Sequence, residues 1–280
     1  MKALICGSLA YDTIMVFQDQ FKNHILPDQV HILNVAFLVP RMRREFGGCA
    51  GNIAYNLKLL GGHPVPFAAV GQDFGLYRKH FEKYAIDLSE VQELDDLFTA
   101  QAFITTDLDD NQITAFHPGA MMRSGDRHVR EVTDVKLAIV APDNHDAMLQ
   151  HAREFAEANT PFIFDPGQAM PLFNGDEFRS FIEQAPYVTV NDYESQLLQK
   201  RTGWTVAQIA ERVDAYIVTR GPQGSLIHTG KETVKIPPAH ERRVTDPTGC
   251  GDAYRAGLIY GIMHGYDWPT TGRMASLMGA

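Results

Sequence analysis

The chain holds only three cysteines among 280 residues, Cys6, Cys49 and Cys250, far apart and in no C-x-x-C pairing. That excludes a disulfide framework and a zinc knuckle, and it fits a reducing, cytoplasmic setting. Long apolar runs are absent too: nothing approaches the roughly 18 residues that span a bilayer. Lys2 before Ala3 to Ala10 imitates a signal peptide, but the run is short, contains Gly7 and Ser8, and enters Tyr11-Asp12. It reads as a buried first strand ending in a polar loop. The eleven histidines show no H-E-x-x-H or paired ligand spacing, so no zinc motif is present. Positive charge is scarce, since 25 Lys and Arg against 34 Asp and Glu leave a net −9. A protein that coats nucleic acid or anionic lipid is thereby disfavoured, and a polyanionic ligand must be held locally. Two nucleotide motifs are missing as well. The sole Gly-Lys, Gly230-Lys231, is followed by Glu232, so there is no P-loop, and a G-x-G-x-x-G fingerprint would need glycine where Tyr254 stands. No repeat, low-complexity tract or Ser/Gly linker divides the chain.

What remains is an ordinary globular composition, 45% hydrophobic and 21% charged, with enough length for one sizeable core. Short β-rich runs alternate with stretches of helical period, the arrangement of a parallel sheet covered on both faces. The expected strands are Ala3 to Cys6, Pro66 to Val70, Leu137 to Ala141, Phe162 to Asp165, Tyr187 to Val190 and Ala215 to Thr219. Several are apolar at successive positions, as a doubly covered sheet requires. Ile53, Leu57 and Leu60 mark one helix stopped by Gly61-Gly62, and Met148, Ala152 and Phe155 mark another. Two stretches break the rhythm. His31 to Glu45 reads as a long strand with Leu33, Val35, Phe37 and Val39 on one face, and Thr99 to His117 as a strand folded back at Asp109 to Gln112. Together they form either an edge extension of the main sheet or a separate lid that closes over a ligand and packs against a second subunit.

The sharpest local signal is Asp246-Pro247-Thr248-Gly249-Cys250-Gly251-Asp252 ahead of a helical pattern. Two glycines opening a helix let backbone N–H groups converge where the helix dipole adds positive charge, which makes an anion site. Asp252 beside it weakens simple phosphate binding, but it suits a reaction in which a carboxylate accepts the proton of an attacking alcohol. Its plainer reading is a first-turn helix acid. A second glycine-rich turn, Gly47-Gly48-Cys49-Ala50-Gly51-Asn52, permits close backbone approach to a ligand, and Asn52 can donate and accept. Asp12 lies just past the first strand, in the crevice where α/β sheets bind ligands, although a lone loop Asp is ordinarily a turn residue. Asn191-Asp192-Tyr193-Glu194 offers two acids to a hydrated magnesium ion, and Thr219 to Gly224 is a tight turn with Arg220 as a phosphate partner. Each taken alone reads more simply as a plain loop. Arg41, Arg43 and Arg44 read as a solvated strand face, and Cys250 lacks the neighbouring His that a thiol nucleophile needs.

In combination and in order, these residues resemble the ribokinase or PfkB family of small-molecule kinases over nearly the whole chain. Gly47 to Asn52 matches its first signature, Asp246 to Gly257 its second, Asn191 to Glu194 its N-x-x-E element, and Thr219 to Gly224 its nucleotide-side loop. The resemblance implies one three-layer α/β/α sandwich over residues 1–280, its sheet mainly parallel, with a small β lid inserted from about 13–46 and 99–120. It implies ATP-dependent phosphorylation of a primary hydroxyl, with Asp252 as base and the amides of Gly249, Cys250 and Gly251 as the anion hole. Asp12, Gly47, Gly48 and Asn52 would hold the acceptor, and Asn191, Thr219, Gly221 and Gly224 the nucleotide. Glu194 would help place Mg²⁺ through water, while Asp246 and Thr248 lie where relatives hold a monovalent cation such as K⁺. Arg43 to Asn52 and Phe164-Asp165-Pro166-Gly167-Gln168 look most like bacterial adenosine or nucleoside kinases. A nucleoside acceptor is therefore expected, with a free sugar such as ribose, or a non-catalytic binding member of the fold, as the alternatives. The expected partners are the small acceptor and a second copy through the lid, with neither nucleic acid nor membrane.

Overall fold

Strand formation follows the uninterrupted apolar runs. The structure, a computed structural model describing residues 2–25, 34–239 and 248–280, turns each of the six expected runs into a strand. They are β1 (Lys2–Cys6), β4 (Pro64–Gly71), β8 (Val135–Val140), β9 (Phe162–Phe164), β10 (Tyr187–Asn191) and β11 (Ala215–Thr219). Three short strands join them: β5 (Val91–Leu94), β12 (Ser225–His228) and β13 (Thr233–Ile236). At four residues each, they are too brief to display a period. The nine form one sheet in the order β13-β12-β11-β10-β9-β8-β1-β4-β5. Every pairing from β5 to β11 is parallel, and only β12 and β13 add on antiparallel.

Alternate residues of these strands feed two cores. On one face Ala3, Ile5, Ile139 and Ile217 pack under α1 (Cys49–Leu59), α2 (Gly75–Lys83), α7 (Cys250–Met263) and α8 (Trp268–Met278). On the other, Leu4, Val140, Phe164 and Val190 pack under α3 (His145–Glu157), α4 (Gly175–Gln184), α5 (Asp192–Thr202) and α6 (Val206–Ala210). The sheet is thus a middle layer between two layers of helices. Phe164 and Phe181 stack with centroids 4.1 Å apart, and burying each such ring contributes about 1.5–3 kcal/mol. No helix among the described residues is long and apolar enough to cross a membrane.

A second, four-stranded sheet runs β3-β2-β6-β7, from β2 (Ala10–Val16), β3 (Arg41–Gly47), β6 (Ala100–Thr106) and β7 (Gln112–His117). The expected fold-back of Thr99 to His117 is present, with its turn at Asp107 to Asn111 and Gln112 already in β7. The Asp107 carboxylate closes that turn by accepting from the N–H groups of Asp109 and Asn111, both at 2.9 Å. Two expectations are corrected here. Asp12 is not a loop residue, because it sits inside β2, paired with Glu45 on one side and Ala102 on the other. The strand expected over His31 to Glu45 begins only at Arg41; residues 34–40 have no regular structure, and 31–33 lie outside the described residues. Pro40 lacks the N–H a ladder needs. The alternation there serves packing instead: Val35, Phe37 and Val39 are half-buried while Ala36 and Leu38 are exposed. Phe37 closes an aromatic cluster with Phe17 and Phe21, at centroid distances of 4.8 and 5.0 Å.

Candidate active site

The parallel strands point their carboxyl ends the same way, and the motifs singled out in the sequence follow those ends. Gly7 to Leu9 leaves β1, Asp165 follows β9, Asn191 closes β10, and Thr219 closes β11 in direct register with Asn191. The chain leaves β1 towards β4 on one side and towards β8 on the other, so a crevice opens where the winding reverses, the position at which such sheets hold ligands.

Two glycine turns meet over this crevice, each starting a helix. Gly48, with φ +86°, caps α1, and a side chain there would collide with the Ser8 carbonyl. Gly249, with φ +80°, caps α7 and provides no side-chain cap. The first amides of such a helix have no partner within it, so those of Cys250, Gly251 and Asp252 are presented at its positive end. Asn52, in the first turn of α1, donates from Nδ2 to Asp252 Oδ2 at 2.8 Å across 200 positions of sequence. A Cβ on Gly249 would lie 3.7 Å from the same Asn52 nitrogen. Around them, Gly47 lets the Asp12 carboxylate lie directly against its backbone, because a side chain there would strike the Asp12 carboxylate. Tyr77 Oη donates to the Gly47 carbonyl at 2.8 Å. Asp12 is thus brought against Gly47 in the first glycine turn, and Asn52, at the end of that turn, against Gly249 and Asp252 in the second.

The electrostatics centre on Asp252, half-buried in the first turn of α7. Burial pushes its carboxyl up to about 6; the Asn52 amide and the Arg255 cation pull the other way, and Asp165 adds to the rise. The Cys49 thiol also hydrogen-bonds it, and burial, then the Asp252 charge, raises that thiol well above its usual range. Burial and then Glu45 raise Asp12. Beneath the α7 turn lies a pair that sequence reasoning did not pick out. Arg255, 6% exposed, donates from Nε and Nη2 to the two oxygens of Asp165, 2% exposed, at 2.5 and 2.7 Å. In the sequence Asp165 stands out only as the end of an expected strand and within a phrase resembling nucleoside kinases, and 90 positions separate the partners, so no local spacing joins them.

The residues expected to line the nucleotide follow the ends of β10 and β11. Asn191 and Glu194 form a reciprocal helix cap: Asn191 Oδ1 accepts from Glu194 N at 2.8 Å, and Glu194 Oε2 accepts from Asn191 N at 2.7 Å. The N-x-x-E spacing therefore starts α5 and leaves Glu194 Oε1 outside the cap. Burial raises the Glu194 carboxyl. Thr219 Oγ1 donates to the Val190 carbonyl at 3.4 Å. Gly221 and Gly224 both take positive φ in the turn that follows, closed by Arg220 N donating to the Gly224 carbonyl at 2.8 Å. Asp246 lies outside the described residues, and Thr248 is exposed at the entry to the Gly249 turn.

The family model described as pfkB family carbohydrate kinase matches residues 12–280. The chain belongs to the PfkB family of carbohydrate kinases. A nucleoside kinase of Methanocaldococcus jannaschii is 32% identical to this PfkB-family chain over 240 residues, covering 84% of this chain and 78% of the relative. Among solved structures, the nucleoside kinase of Burkholderia thailandensis in complex with inosine superposes with a TM-score of 0.89 at 54% identity, covering 99% of this chain and 89% of that one. The Methanocaldococcus jannaschii nucleoside kinase, an archaeal member of the ribokinase family, superposes with a TM-score of 0.90 at 29% identity, covering 99% and 90%. The fold of this PfkB kinase is accordingly ribokinase-like, a large, mainly parallel sheet between helices.

Proposed function

We propose that this kinase transfers the γ-phosphoryl group of ATP to the 5′-hydroxyl of a nucleoside, with Asp252 as the general base. The observation that carries the reading is the Asn52–Asp252 hydrogen bond, which joins the glycine turn of α1 to the anion-binding turn of α7. A carboxyl pushed up to about 6 is mostly ionised at neutral pH yet basic enough to accept a proton in the transition state. As the acceptor oxygen bonds to the γ-phosphorus, its O–H breaks, the proton goes to Asp252, and ADP leaves with the electron pair of the Pγ–O bond. The amides of Gly249, Cys250 and Gly251 meet the charge on the migrating phosphoryl oxygens at a helix N-terminus, where no reorientation is required. Asp12, Gly47, Gly48 and Asn52 hold the other hydroxyls of the acceptor. Asn191, Thr219, Gly221 and Gly224 line the nucleotide at the ends of β10 and β11. The Burkholderia thailandensis nucleoside kinase, also solved with ADP-inosine at 56% identity, supports a nucleoside over a free sugar.

The residues fit a hydrated magnesium ion. Among the described residues no cluster of three or more His, Cys, Asp or Glu could hold a metal alone, so the ion would rest chiefly on nucleotide phosphates and water, as Mg²⁺ prefers. Glu194, with Oε1 outside its cap, would meet that hydration shell, and the ion would neutralise phosphate charge. Asp246 and Thr248 would hold a monovalent cation, so turnover should be higher in KCl than in choline chloride. Free cysteines at all three positions suit a cytoplasmic enzyme. A homodimer through the lid completes the proposal. The strand register puts Asp12 on one face of the second sheet and Met42, Phe103 and Ile113, which are 67, 41 and 45% exposed, on the other. Light scattering should give twice the chain mass for the wild type and the single mass for Phe103→Asp.

A coupled ADP-release assay over a panel of nucleosides and free sugars tests the function. Turnover with inosine or adenosine is expected. Turnover with ribose alone would move the acceptor to a sugar, and none with any acceptor would overturn the reading.

A further inference from the structure

Taking two opposite charges out of water is costly, and an apolar pair of the same size commonly stabilises a core at least as well. Stability alone is therefore a poor account of Asp165 and Arg255, both almost fully buried directly under the anion-binding turn. The geometry gives another. Arg255 lies one helical turn after Gly251 and Asp252, and its Nη1 donates to the Gly251 carbonyl at 3.1 Å. The same guanidinium is locked as a two-pronged fork onto Asp165, at the end of β9. The fork thus ties the first turn of α7 to the carboxyl end of β9, a central strand of the main sheet paired on both sides. A Cβ on Gly251 would lie 3.0 Å from Arg255 Nη1, so the glycine gives the guanidinium room to reach that carbonyl.

We propose that Asp165 and Arg255 are positioning residues for phosphoryl transfer, holding the Gly249–Asp252 turn in register with the acceptor through the Gly251 carbonyl. The proposal rests on the nucleoside kinase reading above and adds to it two residues that touch neither acceptor nor nucleotide. The guanidinium also faces Asp252 from its own helix, where Cys49 and Asn52 face it from α1 and Tyr77 from α2. Asp165 offsets part of the Arg255 charge, and Glu194 on α5 adds to the acidic side. Lysine at 255 would keep the charge but lose the fork, and a lone ammonium cannot hold both Asp165 oxygens and the Gly251 carbonyl in one plane.

The experiment measures kcat, KM and the pH dependence of kcat with inosine and ATP, alongside thermal melting and inosine titration calorimetry. Arg255→Lys should lose about 100-fold in kcat, the scale of a small misplacement of reacting groups, with inosine affinity within about twofold of the wild type. Asp165→Asn should move the acid limb of kcat to lower pH, because the Arg255 charge then faces Asp252 without its counterion. Asp165→Asn with Arg255→Met leaves no lone buried charge, so it should fold; it should turn over slowly and show the acid limb at higher pH. A pair that served stability alone would lower the melting temperature and leave kcat of the folded variants at the wild-type level. Folded Arg255→Lys and double variants with wild-type kcat and an unmoved limb would overturn the positioning role. A wild type that does not phosphorylate inosine would overturn the underlying kinase reading instead.

Discussion

Replacing Asp252 with asparagine should stabilise the protein while stopping turnover. The folded carboxyl is pushed up to about 6 from an ordinary 3.8, burial being the largest cause. Unfolded, the group loses its proton near 3.8; folded, it holds that proton to about 6. Between these values the folded state binds more protons, so this residue's contribution to stability falls as pH rises through the window and stays low above it. The gap corresponds to about 3 kcal/mol above pH 6, about half of that at pH 5, and about 0.5 kcal/mol at pH 4. Asparagine never ionises and keeps an oxygen for Asn52 Nδ2. At about 2 °C per kcal/mol for a chain of this size, Asp252→Asn should melt about 5 °C above the wild type at pH 7.5 and by a smaller margin at pH 5. Melting curves at the two pH values, with ADP release followed in parallel, provide the assay. A variant that melts at or below the wild type at pH 7.5 would refute the claim that a charged carboxylate is held there against its solvation.

Asn52→Ala removes the donor to Asp252 Oδ2, a charge-assisted bond contributing about 1.5–3 kcal/mol. The acid limb of kcat/KM should rise by about one pH unit, and an unmoved limb would count against the bond. Gly249→Ala forces a Cβ into φ +80°, at a cost of about 1–2 kcal/mol; circular dichroism should remain native while kcat collapses, and wild-type kcat would show that the turn tolerates a shift. Phe181→Ala, in the core on the opposite face of the sheet from α1 and α7, should cost about 3–5 kcal/mol in denaturant unfolding with KM for inosine unchanged. A change in KM without a loss of stability would contradict the separation of core from site.

The central sheet was legible because its strands are buried on both faces, so runs such as Leu137 to Val140 and Ala215 to Val218 stand out from amphipathic helices. The glycine turns were legible for a related reason: Gly48 and Gly249 occupy backbone regions other residues avoid, and such positions leave a mark in sequence. The lid was harder to read. Val35, Phe37 and Val39 alternate like a strand, yet that pattern records only which side chains are half-buried, and Pro40 interrupts the ladder that would have made it one. Asp12 looked like a loop residue because the polar stretch after β1 hides β2, whose pairing with β3 and β6 is non-local. Asn191-x-x-Glu194 carries two meanings in one spacing, a helix cap and an acid near a metal, and the cap is the one visible in the hydrogen bonds. The Asp165–Arg255 pair has no local signature, since only the meeting of β9 with α7 creates it.

The direct measurement is product analysis after incubating inosine with ATP labelled in its γ-phosphate. Mass spectrometry should find the label as a phosphate ester on the nucleoside 5′-oxygen with the wild-type enzyme, and nothing above background with Asp252→Asn. Labelled product formed at an undiminished rate by Asp252→Asn, or no labelled nucleoside from the wild type, would contradict the account.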